Sequence, residues 1–329
     1  MIVLCYNQAR FVVETLESVK AQTYQPTQLI IYDDCSSDGS AAVIENWLQE
    51  NKIDCTFIRH QENQGICKSL NEALSLATGK YISMVASDDL WLPDKTARQV
   101  EIMEAQPDDV GVLYSDAFQI DEHGNVLPDM FIAAHRSLPV MPQGQILDIL
   151  LEGNFIPGMT ALIRRSCFDK VGLYDETLPF EDWDMWMRIA GRYSFIHSPA
   201  PSAKYRIHDQ SYSRSNRKRM VRGTCRICLK QLRIGDLNAD QKLRLTSFTL
   251  KLSEHLYNQQ DAEVPEILLA VWRATGSKRA RWMYRFARFG ATFQDWQKAR
   301  NSYMRLQHML GLAKLGARGR RPASKPEVM

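Results

Sequence analysis

The chain of 329 residues and 37.8 kDa is 45% hydrophobic and 24% charged. These are ordinary values for a folded protein of one large or two modest domains, and they exclude collagen, a small disulfide scaffold and disorder throughout. No apolar run reaches the roughly 18 residues of a transmembrane helix. The opening Met-Ile-Val-Leu-Cys-Tyr-Asn lacks the charged start, long apolar stretch and cleavage site of a signal peptide. The net charge of +3 conceals a split: residues 1–213 carry 16 Lys/Arg against 30 Asp/Glu, and residues 214–329 carry 25 against 8, nets of −14 and +17. Such asymmetry marks a separate basic module that meets something anionic. Seven scattered cysteines without a framework read as thiols in a reducing cytosol, and the lone Cys225-x-x-Cys228 has no second pair that would make it a metal site.

Short β-rich runs at 2–5, 29–32, 55–58, 81–85 and 110–114 alternate with amphipathic stretches at 11–21, 41–48, 68–77 and 95–105. That alternation predicts an α/β fold of βαβ units, a mostly parallel central sheet with flanking helices. Pro93 suits the first turn of the last of these helices, where its missing N–H costs nothing. After Tyr114 the pattern changes. Ile120-Asp-Glu-His-Gly-Asn-Val126 has hairpin turn chemistry, and 135–160 is a Pro- and Gly-rich irregular connection. Residues 159–163 read as a further strand and 183–190 as a helix that starts among acidic residues. From 214 to about 315 long helical patterns dominate, and 316–329, with Gly-Arg-Gly-Arg-Arg-Pro, reads as a disordered basic tail.

Carboxylates stand at two strand ends: Asp33 and Asp34 after Leu-Ile-Ile-Tyr, and Asp88 and Asp89 after Tyr-Ile-Ser-Met-Val-Ala-Ser. In an open α/β sheet ligands bind outside the carboxyl ends of the strands. Two acidic pairs at one edge repel each other unless they serve a cation or a hydrogen-bond donor, and a hard divalent ion near one pair is the simplest solution. The alternative is that each pair caps the helix that follows.

Taken in order, the motifs of residues 1–213 resemble glycosyltransferase family 2, inverting nucleotide-sugar transferases with the GT-A (Rossmann-like) fold. Cys5-Tyr6-Asn7 looks like the end of the first strand, where the nucleoside docks. Asp33-Asp34-Cys35-Ser36-Ser37-Asp38-Gly39 is similar to the family's acidic turn, and Asn63-Gln64-Gly65 with Asn71-Glu72-Ala73 fits the third helix. Gly79-Lys80-Tyr81-Ile82, Ser87-Asp88-Asp89 and Pro93-Asp94-Lys95 fit the metal-binding loop. Glu181-Asp182-Trp183-Asp184 with Trp186 and Arg188 resembles the catalytic-base helix, and Tyr205-Arg206-Ile207-His208 with Ser211 and Ser213 the closing segment. Two departures stand out. Ala86 replaces the usual first Asp of the metal loop, and the chain starts close to the Tyr-Asn motif, so Met1 is expected inside the first strand with some of its hydrogen bonds lost.

The resemblance implies a single displacement at the anomeric carbon of a nucleotide sugar. Its implied metal ligands for Mg2+ or Mn2+ are Asp88, Asp89 and His208, with the direct carboxylate ligand left open between the two aspartates. Tyr6 would stack on the base, and Asp34, in preference to Asp33, would accept a uracil-like N–H. Asn7, Lys68 and Asp88 complete the donor-binding set. Asp182 matches the base, its pKa raised by Glu181 and Asp184, and Glu181 is the rival. The acceptor would be a sugar or lipid-linked hydroxyl in surface polysaccharide or glycolipid synthesis. A non-catalytic nucleotide-sugar-binding module is the alternative, suggested by Ala86. A nucleotidyltransferase would want a Gly- and Arg/Lys-rich phosphate loop where Tyr6-Asn7-Gln8 stands.

In 277–305, Trp282, Phe286, Phe289, Phe293 and Trp296 fall mainly at helical spacings, with Arg279, Arg281, Arg285 and Arg288 interleaved. Such a helix either lies in an anionic membrane interface, which would place the protein peripherally on the inner face of the plasma membrane, or packs its aromatic face on the catalytic domain. No nucleic-acid recognition motif accompanies the charge, and no nucleic-acid partner is expected.

Overall fold

The computed structural model describes residues 1–24, 28–211, 216–234 and 237–309, the last three by backbone alone. The expected boundary at 213, the Ser213 of the closing segment and the tail at 316–329 lie outside the described residues. Two compact units are present, Met1–Ile227 with Asp236–Leu245, and Cys228–Gly235 with Thr246–Met329.

The first unit opens with β1 (Ile2–Cys5), α1 (Val12–Lys20), β2 (Ile30–Asp33), α2 (Ser40–Asn51), β3 (Thr56–Arg59) and α3 (Ile66–Leu76). After β4 (Tyr81–Ile82), β5 (Met84–Ala86) completes a four-stranded parallel sheet in the order β3-β2-β1-β5, with Ile2 opposite Ile30 and Met84. The alternation of strand and helix expected for this half is therefore present. In α1, Val12, Thr15, Leu16 and Val19 are buried, one stripe at helical spacing. Val12, Leu16 and Val19 meet Val3, Ile31, Val85, Ile44 and Trp47 in one core. β1 pairs with β2 over Ile2–Cys5, and Met1, just before the strand, donates from its amino group to Gln28 O at 2.7 Å.

The run at 81–85 is two strands, not one. Ser83 stands between them, its Oγ donating to Ala161 O at 2.9 Å and accepting from Lys95 Nζ at 2.7 Å. β4 therefore joins a second sheet while β5 stays in the first. That second sheet has the order β4-β9-β7-β10-β6, with β8 on β7. It is built from β6 (Leu90–Trp91), β7 (Val110–Ile120), β8 (Val126–Met130), β9 (Leu162–Arg164) and β10 (Ser194–Arg206), with α4 (Lys95–Glu104) between β6 and β7. β7 and β8 form the expected hairpin, Ile120 opposite Val126. Pro93 lies one residue before the Asp94 that precedes α4, so it ends the strand side of the turn and is not in the helix. The connection at 135–160 holds the end of α5 (Phe131–His135), α6 (Leu147–Leu150) and the single turn Gly158–Thr160, before α7 (Ser166–Val171) and α8 (Asp182–Ala190).

α9 (Arg217–Ile234) follows, and its Gly223 lets the helix backbone come close to the turn that precedes Glu181. A Cβ added there would stand 2.5 Å from Pro179 Cγ and 2.9 Å from Phe180 Cε1. α10 (Ala239–Asn258) then leads to α11 (Val264–Thr275), α12 (Lys278–Arg288) and α13 (Phe293–Met309). The stretch expected to be one aromatic-faced helix is broken at Gly290, whose φ of +74° ends α12. Trp296 is 2% exposed, stacks on Phe293 at 5.3 Å and has Arg279 and Arg300 against its ring at 5.7 and 5.6 Å. Phe293 meets Tyr257 of α10, and Trp282 meets Tyr303 of α13, so most of the aromatic side chains pack within their own helical unit.

Gly223→Ala should lower the free energy of unfolding by about 1–3 kcal/mol, the usual cost of overpacking a close contact. Urea denaturation measures it, and an unchanged midpoint would show that α9 does not back this turn closely.

Candidate active site

The loop after β1 is held by the acidic turn after β2. The N–H of Asn7 donates to Ser36 Oγ at 2.8 Å, that of Gln8 to Ser40 Oγ at 2.9 Å, and that of Ala9 to Asp38 Oδ2 at 2.8 Å. Asn7 returns the interaction by accepting the Ser37 N–H on Oδ1 at 2.8 Å, and its φ of +54° is a conformation asparagine tolerates better than most residues. Seven residues thus knit two strand ends together and leave Tyr6 45% exposed above them.

Asp34 is used by the chain itself. Its Oδ1 accepts from the Gln64 N–H at 2.8 Å and meets His60 Nδ1 at 2.8 Å, and its Oδ2 accepts from the Gly65 N–H at 2.9 Å. Those amides immediately precede α3, so the carboxylate fixes the turn that leads into that helix and does not cap α2, the helix that follows it in sequence. His60 Nε2 faces Glu72 at 3.1 Å on the same helix. Asp33 is wholly buried; Oδ1 takes the Ser36 N–H at 3.0 Å, and Oδ2 has no hydrogen-bond partner among the described residues.

The other acidic pair divides its duties. Asp89 is 4% exposed, and its Oδ1 accepts the Arg206 N–H at 2.9 Å while its carbonyl accepts from Thr15 Oγ1 at 2.8 Å. Burial, and after it the charge of Asp88, pushes the Asp89 carboxyl well above the usual range, against the pull of Arg206. Asp88 faces outward: its Oδ2 lies 3.1 Å from His208 Nε2 and 3.5 Å from Gln8 Nε2. Arg206 is 1% exposed; Nε donates to Asp88 O at 2.9 Å and Nη2 pairs with Glu14 at 2.7 Å. The Phe11 ring packs against both the Arg206 guanidinium, at 4.7 Å, and His208, at 4.8 Å. Ala86 ends β5 opposite Leu4, so the departure read in the sequence leaves no carboxylate at that position. Among the described residues no cluster of three or more His, Cys, Asp or Glu is arranged to hold a metal, and Asp88 and His208 are the two of the expected ligands that face each other directly.

Glu181 and Asp182 stand at the start of α8. The Asp182 carboxylate accepts the Trp183 N–H on Oδ1 at 2.6 Å and the Asn154 Nδ2–H on Oδ2 at 2.7 Å. Burial raises its pKa above the usual carboxylate range, and those two donors oppose the rise. Glu181 is raised too, first by burial and then by Asp182. Asp184 does not act as expected: it is 1% exposed and pairs with Arg188 Nε at 2.8 Å, so its charge is neutralised on the inner face of the helix.

α3 connects the two acidic regions. Its start is fixed by Asp34, while Asn71 accepts the Tyr174 N–H at 2.8 Å and donates to Tyr174 O at 3.0 Å and Glu176 Oε1 at 2.9 Å. The segment it holds leads into Glu181. Lys68 is exposed on the same helix. A cavity of about 200 Å³ beside Met1, Gln28 and Lys80 lies at the amino ends of β1 and β2, the edge away from these residues. Sequence reasoning missed Asn154, which sits in the irregular connection without a motif, and the His60 contact with Asp34.

A family model described as Glycosyl transferase family 2 matches residues 1–172. An uncharacterized glycosyltransferase of Rickettsia felis is 30% identical over 216 residues, 65% of this chain but 35% of that protein, so the chain spans about a third of that relative's length. The Escherichia coli UDP-Glc:alpha-D-GlcNAc-diphosphoundecaprenol beta-1,3-glucosyltransferase WfaP is 27% identical over 226 residues, 68% of this chain and 82% of that one. Among solved structures, residues 1–349 of S. aureus TarS in complex with UDP superpose with a TM-score of 0.60 at 20% identity, over 93% of this chain and 91% of that one. Mannosyltransferase PcManGT of Pyrobaculum calidifontis, in complex with GDP-Man and Mn2+, gives 0.56 at 21% identity, over 90% and 83%.

Because Asp34 ties three donors to one turn, Asp34→Ala should cost about 1–3 kcal/mol of stability, the price of leaving buried donors unmet. Thermal and urea unfolding would report it; wild-type stability would show that the carboxylate is free for other partners.

Proposed function

The chain belongs to glycosyltransferase family 2 and has its GT-A fold, and from that premise we propose that it moves a sugar, with inversion, from a UDP-linked donor to a hydroxyl of a sugar or lipid-linked acceptor in cell-surface polysaccharide or glycolipid synthesis. The observation that carries this reading is the contact of Asp88 Oδ2 with His208 Nε2, 3.1 Å apart at the carboxyl edge of the parallel sheet. The names of WfaP, with UDP-Glc and a diphosphoundecaprenol acceptor, and of TarS with UDP support a UDP donor and a lipid-linked acceptor.

A carboxylate and an imidazole fit a divalent ion such as Mg2+ or Mn2+, which takes one or two protein ligands and fills its other positions with water and phosphate oxygens. When bound, the ion offsets the negative charge that grows on the departing nucleoside diphosphate. Asp89 and Arg206 then serve as the frame that holds Asp88 and His208 in place. Tyr6, whose ring is open, stacks on the base, and Asn7 and Asp34 shape the turn beneath it, with Lys68 on the donor side. Asp182 takes the proton of the acceptor hydroxyl as it attacks the anomeric carbon. Burial lifts its pKa toward neutrality, the condition for an efficient base.

No helix among the described residues is long and apolar enough to cross a membrane. Lys278, Arg281, Arg285 and Arg288 form one exposed line along α12 that ends at Phe289, 85% exposed. This line, not the packed aromatic residues, is the surface proposed to meet anionic lipid on the cytoplasmic face, where a lipid-linked acceptor would lie.

A hydrolysis screen of UDP- and GDP-sugars with Mn2+ and with chelator tests the donor site. Release of UDP in Mn2+ and its loss in chelator are expected, and full activity in chelator would contradict the metal. In the same assay Asp182→Asn should fall at least ~10²-fold; if Glu181→Gln falls and Asp182→Asn does not, the two carboxylates exchange roles. Full-length protein should float with phosphatidylglycerol vesicles and much less with phosphatidylcholine vesicles. Replacing Arg281, Arg285 and Arg288 by Ala should weaken that binding on the order of a hundredfold at low salt, at about 1 kcal/mol per charge. No flotation with anionic vesicles would remove the membrane surface from the account.

A further inference from the structure

Asn154 lies in a segment fixed at both ends. Upstream, Leu150 O accepts the indole N–H of Trp183 at 2.8 Å, which ties α6 to α8. Downstream, Phe155 and Ile156 are each 1% exposed, and Pro157 is buried. The amide itself has a defined sense: Oδ1 accepts the Ile156 N–H at 3.1 Å, so Nδ2 is the group left to face Asp182, at 2.7 Å. This arrangement gives Asp182 a donor on each carboxylate oxygen.

Resting on the assignment of Asp182 as the base, we infer that Asn154 is its positioning residue: the side-chain amide aims the Asp182 carboxylate and keeps Asp182, not Glu181, the ionised member of the pair. Two adjacent buried carboxyls resist ionising together, and a hydrogen bond from a donor that cannot accept favours the charged form of the one it reaches. Glu181 has Gly158 beside it, with a Cβ position 4.0 Å from its Oε1, and burial and Asp182 both raise its pKa. Groups near the pair include Tyr174 on the segment held by α3, Cys67 on α3 itself and Asp184, which pairs with Arg188 on the same helix.

The direct measurement is a ¹³C NMR titration of the aspartate carboxyls in full-length protein, with the Asp182 signal assigned by its loss in Asp182→Asn. Asn154→Ala should raise the Asp182 midpoint by about one pH unit, the scale of one hydrogen bond to an ionised group. Asn154→Asp keeps the size of the side chain, so it also guards against a simple packing defect. It should raise the midpoint further, because a second negative charge then faces the carboxylate. Hydrolysis of UDP-glucose should show its acidic limb displaced in the same direction, with activity recovering at higher pH. A midpoint unchanged in both variants overturns the positioning role. If Asp182→Asn hydrolyses UDP-glucose at the wild-type rate, the base assignment fails and the inference with it, and this outcome is read independently of the titration.

Discussion

Four carboxylates gathered at one edge of a parallel sheet are the constraint around which this unit is built. β2 ends in Asp33 with Asp34 next, and the loop after β5 carries Asp88 and Asp89, with β1 between those two strands. Left together without partners, such charges would repel and destabilise the edge. The chain resolves this by assigning donors to three of them. Asp33 takes the Ser36 N–H, Asp34 the amides at the start of α3, and Asp89 the N–H of Arg206 from the far end of β10. Asp88 alone is turned outward, toward His208. The distance of roughly 120 residues in sequence between Asp88 and His208 is bridged by Arg206, whose backbone and guanidinium hold both aspartates at once.

The same economy links the two acidic regions. α3 is anchored at its start by Asp34 of the β2 edge, and through Asn71 it grips the segment that leads to Glu181. From the other side, α9 approaches Pro179 and Phe180 so closely that only glycine fits at position 223. Glu181 and Asp182 directly follow the segment held in this way, and burial raises the pKa of both. The proposed division of Glu181 and Asp182 into neutral and ionised partners parallels the division of Asp88 and Asp89 into outward and buried ones.

The first 120 residues were the most legible. Alternating apolar runs and amphipathic stretches are local patterns, and the motif series at Tyr6, Asp34, Asp88 and Asp182 could be read in order. β10 went unread because Pro199 and Pro201 interrupt its pattern. The ladder tolerates them by shifting register between Ser198 and Ala203. The break at Ser83 was hidden inside an unbroken apolar run, since periodicity does not tell which sheet a residue joins. The role of Asp184 as Arg188's partner, and the fate of Trp296, depended on which helix face is buried, a tertiary outcome. Asn154 had no signal at all: a single amide in an irregular connection is meaningful only once the fold brings it to Asp182.

The division of labour between Asp88 and Asp89 is the central claim, and a crystal structure with UDP and Mn2+ tests it most directly. The account predicts a single manganese anomalous peak in contact with Asp88 and His208, with the Asp89 carboxylate still accepting the Arg206 N–H. A manganese ion bound by Asp89, with the Arg206 contact broken, would contradict it.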